Sequence, residues 1–170
     1  MAYVCIALGS NVGDREGYLR RAVERLGRAL TLVKASAVYE TAPMYVEDQP
    51  PFLNAALSAN TDLGPLALLR LLKRVEAEVG RAQRERYGPR EIDLDLVAYG
   101  VAAYRFVERG RTILEVPHPR APERRFVLQP LFDLDPQLEL SGLGSVNDLL
   151  QATETDVESV RRLEHVVLSL

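Results

Sequence analysis

Hydrophobic segments follow one another in the order β-α-β-β-α-β, a turn or helix-cap signal separates each from the next, and the last strand alternates aliphatic residues with two aspartates. These observations predict an α+β fold, a ferredoxin-like βαββαβ sandwich with a C-terminal extension. The 170 residues fit one domain spanning positions 1–170, long enough to bury a core without disulfide or metal staples.

Tyr3 to Leu8 is an apolar run closed by Gly9-Ser10-Asn11, a strand followed by a turn. Asp14 caps a helix on which Tyr18, Leu19, Ala22, Val23, Leu26 and Leu30 recur at helical spacing. Thr31 to Glu40 reads as a second strand. Thr41 to Pro51 holds three prolines and an acidic pair, and is a loop. Phe52 to Thr61 is a third strand. Gly64-Pro65 opens a second helix carrying Leu66, Leu69, Leu72, Val75, Glu76 and Val79, with proline in its favoured first-turn place. A polar loop from Gly80 to Glu91 leads into the fourth strand, Ile92 to Tyr99. Beyond it, Phe106 to Val116 predicts an edge hairpin, Pro122 to Phe132 a short helix, and Leu149-Leu150 another helix. Residues 152–170 carry no pattern that assigns them.

Net charge is −3, so attraction for phosphates must come from local basic clusters and not from the molecule as a whole. The lone cysteine, Cys5, has no disulfide partner in the chain and is expected to be buried in its strand. The opening apolar run is too short and lacks the basic flank of a secretory signal. No run approaches the roughly 18 apolar residues of a membrane span. A cytoplasmic protein bound to neither membrane nor nucleic acid is expected.

The aspartates carry the first chemical signal. In Ile92-Asp93-Leu94-Asp95-Leu96-Val97 the period of two places Asp93 and Asp95 on one strand face, their Cα atoms about 6–7 Å apart. Two carboxylates so placed converge on a hard cation such as magnesium, which takes one or two carboxylates plus water and phosphate oxygens. An amphipathic strand with a wet face gives the same pattern, but aspartate is a poor strand former and two among aliphatics need a reason. Arg81, Arg84, Arg86 and Arg90 lie upstream, and Arg120, Arg124 and Arg125 follow His118. Carboxylates for metal beside guanidiniums for phosphate form the arrangement that phosphoryl transfer needs. Taken singly, Arg84 and Arg120 read as solvated surface charges.

Residues 86–97, RYGPREIDLDLV, resemble the signature of the 6-hydroxymethyl-7,8-dihydropterin pyrophosphokinase family. Three further segments agree in order: Ile6-Ala7-Leu8-Gly9-Ser10-Asn11; Tyr39-Glu40-Thr41-Ala42-Pro43 followed by Asp48-Gln49-Pro50 and Phe52-Leu53-Asn54-Ala55; and Val116-Pro117-His118-Pro119-Arg120 with Arg124-Arg125-Phe126. The resemblance covers residues 3–135. It implies a magnesium-dependent enzyme of folate synthesis that moves diphosphate from ATP to 6-hydroxymethyl-7,8-dihydropterin and releases AMP. Asp93 and Asp95 would hold two magnesium ions. Arg81, Arg86, Arg90, His118 and Arg124 would contact phosphates or nucleotide, with Glu76 and Tyr87 beside them. Asn54 would read the pterin edge, helped by Thr41, Ala42, Pro43 and Met44, while Phe52 and Phe126 stack on its faces. A monomer is expected.

Without that resemblance, Phe52 and Phe126 read as core, Asn54 as satisfying a backbone group, His118 as a rigid turn between prolines, and Gly9-Ser10-Asn11 as only a turn. The general base stays open between Asp95 and a substrate hydroxyl acidified by metal. Two other classes share the fold. A regulatory anion-binding module leaves the aspartate pair unexplained. An RNA-binding module needs aromatics on the sheet face in a basic field.

Overall fold

The computed structural model describes residues 1–43, 48–82, 88–153 and 160–170. Its elements run β1 (Ala2–Ser10), α1 (Arg15–Gly27), β2 (Thr31–Ala35), β3 (Tyr39–Thr41), β4 (Phe52–Thr61), α2 (Pro65–Val79), β5 (Asp93–Tyr99), β6 (Tyr104–Glu108) and β7 (Arg111–Val116). A 3-10 turn (Ala121–Glu123), α3 (Arg125–Leu134), β8 (Glu139–Leu140), β9 (Gly144–Ser145), α4 (Val146–Ala152) and β10 (Val160–Arg162) complete them. The main sheet has the order β10-β3-β4-β1-β5, with β2 also on β4, and its pairings are antiparallel. This is the ferredoxin-like sandwich.

Helix ends follow local chemistry. The Asp14 carboxylate accepts the Gly17 N–H at 3.0 Å and starts α1. Pro65 opens α2, and Gly80 closes it at φ 119°, a backbone shape that glycine adopts without Cβ strain. Each face of the sheet has its own core. Val4, Ile6 and Leu8 of β1 and Leu94 and Leu96 of β5 pack with the buried stripes of α1 (Leu19, Ala22, Val23, Leu26) and α2 (Leu68, Leu72, Val75). The alternate residues, among them Cys5, Ala56 and Val97, pack beneath α3 and α4 with Leu131 and Val146. Burial pushes the Cys5 thiol up to about 12, so it stays protonated.

The structure departs from the sequence expectation in four places. The strand expected over Thr31–Glu40 is two strands, because residues 36–38 oppose only residues 55–56 of β4. The irregularity is anchored: Ser36 Oγ accepts the Ala56 N–H, and the Asp133 carboxylate in α3 accepts the Ala37 N–H. The hairpin begins earlier, at Tyr104, and forms a separate two-stranded sheet. The helix expected from Pro122 breaks at Arg124, whose φ of −115° and ψ of 92° are extended, so α3 starts at Arg125. The unassigned tail supplies β10, which pairs with β3, and it buries Val166 and Leu168 in the α1/α2 core. Among the described residues no helix is long and apolar enough to cross a membrane.

Candidate active site

Strand register builds the floor of the site. Gly9 of β1 lies opposite Asn54 of β4 on one side and Asp93 of β5 on the other, and Ala7 lies likewise between Ala56 and Asp95. Asn54 and Asp93 are thus two strand spacings apart, about 10 Å. The positions between them carry the smallest side chains. A Cβ on Gly9 would come within 3.3 Å of Asn54 Oδ1 and 3.8 Å of Phe52 Cδ1. A cavity of about 270 Å³ opens over this floor. Thr41, Ala42, Gln49, Phe52 and Asn54 line one part, and Arg90, Asp93, Asp95 and His118 another, with Arg124 and Phe126 from the start of α3.

Asn54 is buried, and its Nδ2 donates to the Thr41 hydroxyl at 2.7 Å. That bond orients the carboxamide before any ligand arrives. Arg124 lies over the ring of Phe126, 5.8 Å from its centroid. His118 is placed by an irregularity in β5: the register slips at Val97, and the Val97 carbonyl accepts the His118 N–H at 3.0 Å. The His118 Nδ1 accepts the Arg120 N–H at 3.2 Å, so the neutral ring carries its proton on Nε2. Burial first, then Arg124 and Arg120, hold the imidazole below its usual pKa and keep it neutral.

The carboxylates differ. Arg81 Nη1 lies 2.7 Å from Asp93 Oδ1, and Arg90 Nη1 lies 2.7 Å from Oδ2. Burial pushes Asp93 up, but Arg90, Arg81 and Lys73 outweigh it and hold the carboxyl below the usual range. Burial and the neighbouring Asp93 push Asp95 up to about 6. Glu76, buried on α2, accepts the Leu94 N–H at 2.7 Å and pairs with Lys73 at 2.9 Å and Arg81 at 2.7 Å. It therefore satisfies the open edge of β5 and steadies Arg81 from behind, and neither residue lines the cavity.

The donor set fits a divalent cation shared with phosphate. Asp93 and Asp95 are hard oxygen donors on one face. Among the described residues no cluster of three or more His, Cys, Asp or Glu side chains forms a protein-only cage. Of the residues expected from sequence, Thr41, Ala42, Phe52, Asn54, Arg90, Asp93, Asp95, His118, Arg124 and Phe126 share the cavity. Pro43 follows Ala42 without lining it, and Met44, Arg86 and Tyr87 lie outside the described residues. Sequence reasoning gave no site role to the lining residues Ala7, Leu8, Gly9, Gln49, Gly88 and Val127. All but Val127 were in quoted motifs, but only strand register shows that Ala7 and Gly9 make room.

The model of the family described as 7,8-dihydro-6-hydroxymethylpterin-pyrophosphokinase (HPPK) matches residues 5–136. A 2-amino-4-hydroxy-6-hydroxymethyldihydropteridine pyrophosphokinase of Bacillus subtilis is 44% identical over 158 residues, 92% of this chain and 87% of that protein. Its counterpart in Methylorubrum extorquens is 39% identical over 166 residues, 96% of this chain and 100% of that one. The mitochondrial folate synthesis bifunctional protein of Pisum sativum is 50% identical over 132 residues, 77% of this chain and 25% of that protein. A Plasmodium falciparum HPPK-DHPS crystal structure shares the fold with a TM-score of 0.77 at 14% identity, over 95% of this chain and 46% of that one. The chain thus spans 25% of the pea protein's length, under half of the Plasmodium chain's, and most of the two bacterial proteins'. The chain belongs to the 7,8-dihydro-6-hydroxymethylpterin-pyrophosphokinase family.

Proposed function

We propose that the chain performs the reaction its family is named for: it transfers diphosphate from ATP to the hydroxymethyl group of 6-hydroxymethyl-7,8-dihydropterin in folate synthesis. The carrying observation is the strand register, which sets Asn54 and Asp93 on one floor with only Gly9 between them. A flat ring over Gly9 is read at its edge by Asn54 and contacted on its faces by Phe52 and Phe126. Its hydroxymethyl arm then points along the floor toward the carboxylates. The hydroxyl oxygen attacks the β-phosphorus, the bond from that phosphorus to the α,β-bridging oxygen breaks, the hydroxyl proton is released, and AMP departs.

Asp93 and Asp95 would hold two magnesium ions, which supply charge neutralisation and alignment of the attacking and leaving oxygens when bound. Arg90 lines the cavity on one oxygen of Asp93 and would turn to phosphate oxygens, and Arg81, on the other oxygen of Asp93 and outside the lining, would join it when phosphate is bound. The neutral His118 offers an Nε2–H donor, and Arg124 a guanidinium. Arg86 and Tyr87 complete the nucleotide side in this proposal, with Glu76 acting through Arg81. On the pterin side, Pro43 and Met44 extend the segment that begins with Thr41 and Ala42. We place the protein in the cytoplasm as a monomer.

Product analysis tests the reading. Incubation with ATP, Mg²⁺ and the hydroxymethyldihydropterin should yield AMP and the pterin diphosphate in equal amounts. ADP as the nucleotide product would refute it.

A further inference from the structure

Strand β3 is only three residues long, yet it carries Thr41 into the cavity. Thr41 and Asn54 are both buried, and the Thr41 hydroxyl accepts the Asn54 Nδ2–H at 2.7 Å. The direction of the Asn54 carboxamide therefore depends on where β3 lies. On its inner side Thr41 faces Phe52 of β4, and on its outer side it faces Val160 of β10. The Tyr39 end of β3 is pinned to α3, because the Tyr39 hydroxyl donates to Asp133 at 2.9 Å. At the Thr41 end the outer neighbour is the C-terminal strand. The Leu163 N–H donates to the Val38 carbonyl at 2.8 Å, and the antiparallel alternation places the next pair of backbone bonds between Arg161 and Glu40. Arg161 also reaches one side-chain oxygen of Glu40 at 2.6 Å. The other oxygen lies 3.1 Å from Arg15 Nη1, which donates to the Pro51 carbonyl at 2.9 Å, one residue before Phe52. The tail thus holds both strands at the end where the pterin is proposed to sit. It does so from 121 residues away, and from beyond the residues 5–136 that the family model matches. A tail needed only to close the core would be served by Val166 and Leu168, which are buried against α1 and α2.

We propose that β10 is a positioning element of the pterin subsite, with Arg161 its central positioning residue. By closing the outer edge of β3 it fixes Thr41, and Thr41 aims the Asn54 carboxamide at the ring edge. The effect is confined to the pterin, because Asp93 and Asp95 belong to β5, across β4 and β1 from this edge of the sheet. The claim rests on the proposed function for the identity of the ligand.

Calorimetry tests it: protein saturated with magnesium α,β-methylene-ATP, whose bridge cannot be cleaved by diphosphate transfer, is titrated with 6-hydroxymethyl-7,8-dihydropterin. Arg161→Pro removes the N–H and the guanidinium that bind Glu40, while Val166 and Leu168 stay in place. It should weaken pterin binding by about fivefold to twentyfold and leave binding of the analogue within about twofold. Arg161→Ala keeps the backbone bond and should weaken the pterin by less than about threefold. In a Thr41→Val background the hydroxyl that orients Asn54 is gone, and adding Arg161→Pro should change pterin binding by less than about twofold. A folded Arg161→Pro with unaltered pterin binding overturns the proposal, as does equal weakening of both ligands or a full effect in the Thr41→Val background. If Arg161→Pro does not fold, hydrogen exchange on the unaltered protein decides. Adding the pterin to the complex with the analogue should slow exchange of the Arg161 and Leu163 N–H groups, since a strand that favours the ligand is favoured by it. Unchanged exchange overturns the role of β10. Failure of the unaltered protein to bind the pterin would sink the proposed function itself, whereas pterin binding that ignores the tail sinks only the role of β10.

Discussion

Asp93 and Asp95 are two residues apart and share a strand face, yet their environments separate them. Asp93 sits between two guanidiniums, and removing its charge leaves Arg81 and Arg90 facing each other. Asp93→Asn should therefore destabilise the protein, by about 1–3 kcal/mol given that the pair is only partly buried. Asp95 has the opposite sign. Its folded pKa of about 6 lies above the ordinary value of about 3.9. The folded state thus binds the proton more tightly, and stability falls as pH rises from about 4 to about 6 and is level above that. In Asp95→Asn this decline should vanish, and near neutral pH without divalent cations the variant should melt higher, by on the order of 1–3 kcal/mol. Denaturation of the three proteins with pH checks the order Asp95→Asn, unaltered, Asp93→Asn. Both variants should lose Mg²⁺-dependent turnover by orders of magnitude; near-normal activity in either would remove that aspartate from the mechanism. At the other end of the floor, Gly9→Ala puts a methyl 3.3 Å from Asn54 Oδ1. That substitution, like Asn54→Ala, should weaken pterin binding by roughly one to two orders of magnitude while ATP binding changes little, as measured by calorimetry. Equal losses for both ligands would make Asn54 and Gly9 structural.

At the scale of elements, legibility tracked the distance over which each signal acts. The aspartate face was readable because a strand's period of two is local, and both ends of α2 were readable from Pro65 and Gly80. The break between β2 and β3 was not, because Ser36 and Ala37 are held by Ala56 and by Asp133, partners across the sheet and on another helix. Strand β10 is short and basic, with no alternating pattern. It is held by pairing to β3, by Arg161 at 2.6 Å from Glu40, and by Glu40 in turn at 3.1 Å from Arg15. Arg161 first, then Arg15, hold the Glu40 carboxyl below its usual range against the effect of burial. The surface pair alone contributes little. The apolar residues that follow matter more: Leu168 is only 5% exposed, in the core beneath α1 and α2. Leu168→Ala should cost about 2–4 kcal/mol in urea denaturation, whereas Arg161→Ala should cost under about 1 kcal/mol. Similar losses would mean that the ion pairs and not the core hold the tail.

Across the whole molecule, the sheet separates a structural side from a working side. Helices α1 and α2 seal one face with aliphatic side chains. The other face is covered by α3 and α4 only part of the way, and the floor of Gly9, Ala7, Asn54, Asp93 and Asp95 lies where that cover ends. Segments distant in sequence meet there. Quoted motifs brought most of the cavity residues to notice, but the placing of β10 against β3 has no local trace, since Arg161 and Glu40 are 121 residues apart. The central claim is that the hydroxymethyl oxygen attacks the β-phosphorus over this floor. Mass spectrometry of products formed from ATP carrying ¹⁸O in the α,β-bridge tests it most directly. The account predicts that all of the label leaves in AMP and that the pterin diphosphate is unlabelled. Labelled ADP in place of AMP, or free pyrophosphate beside an adenylylated pterin, would contradict it.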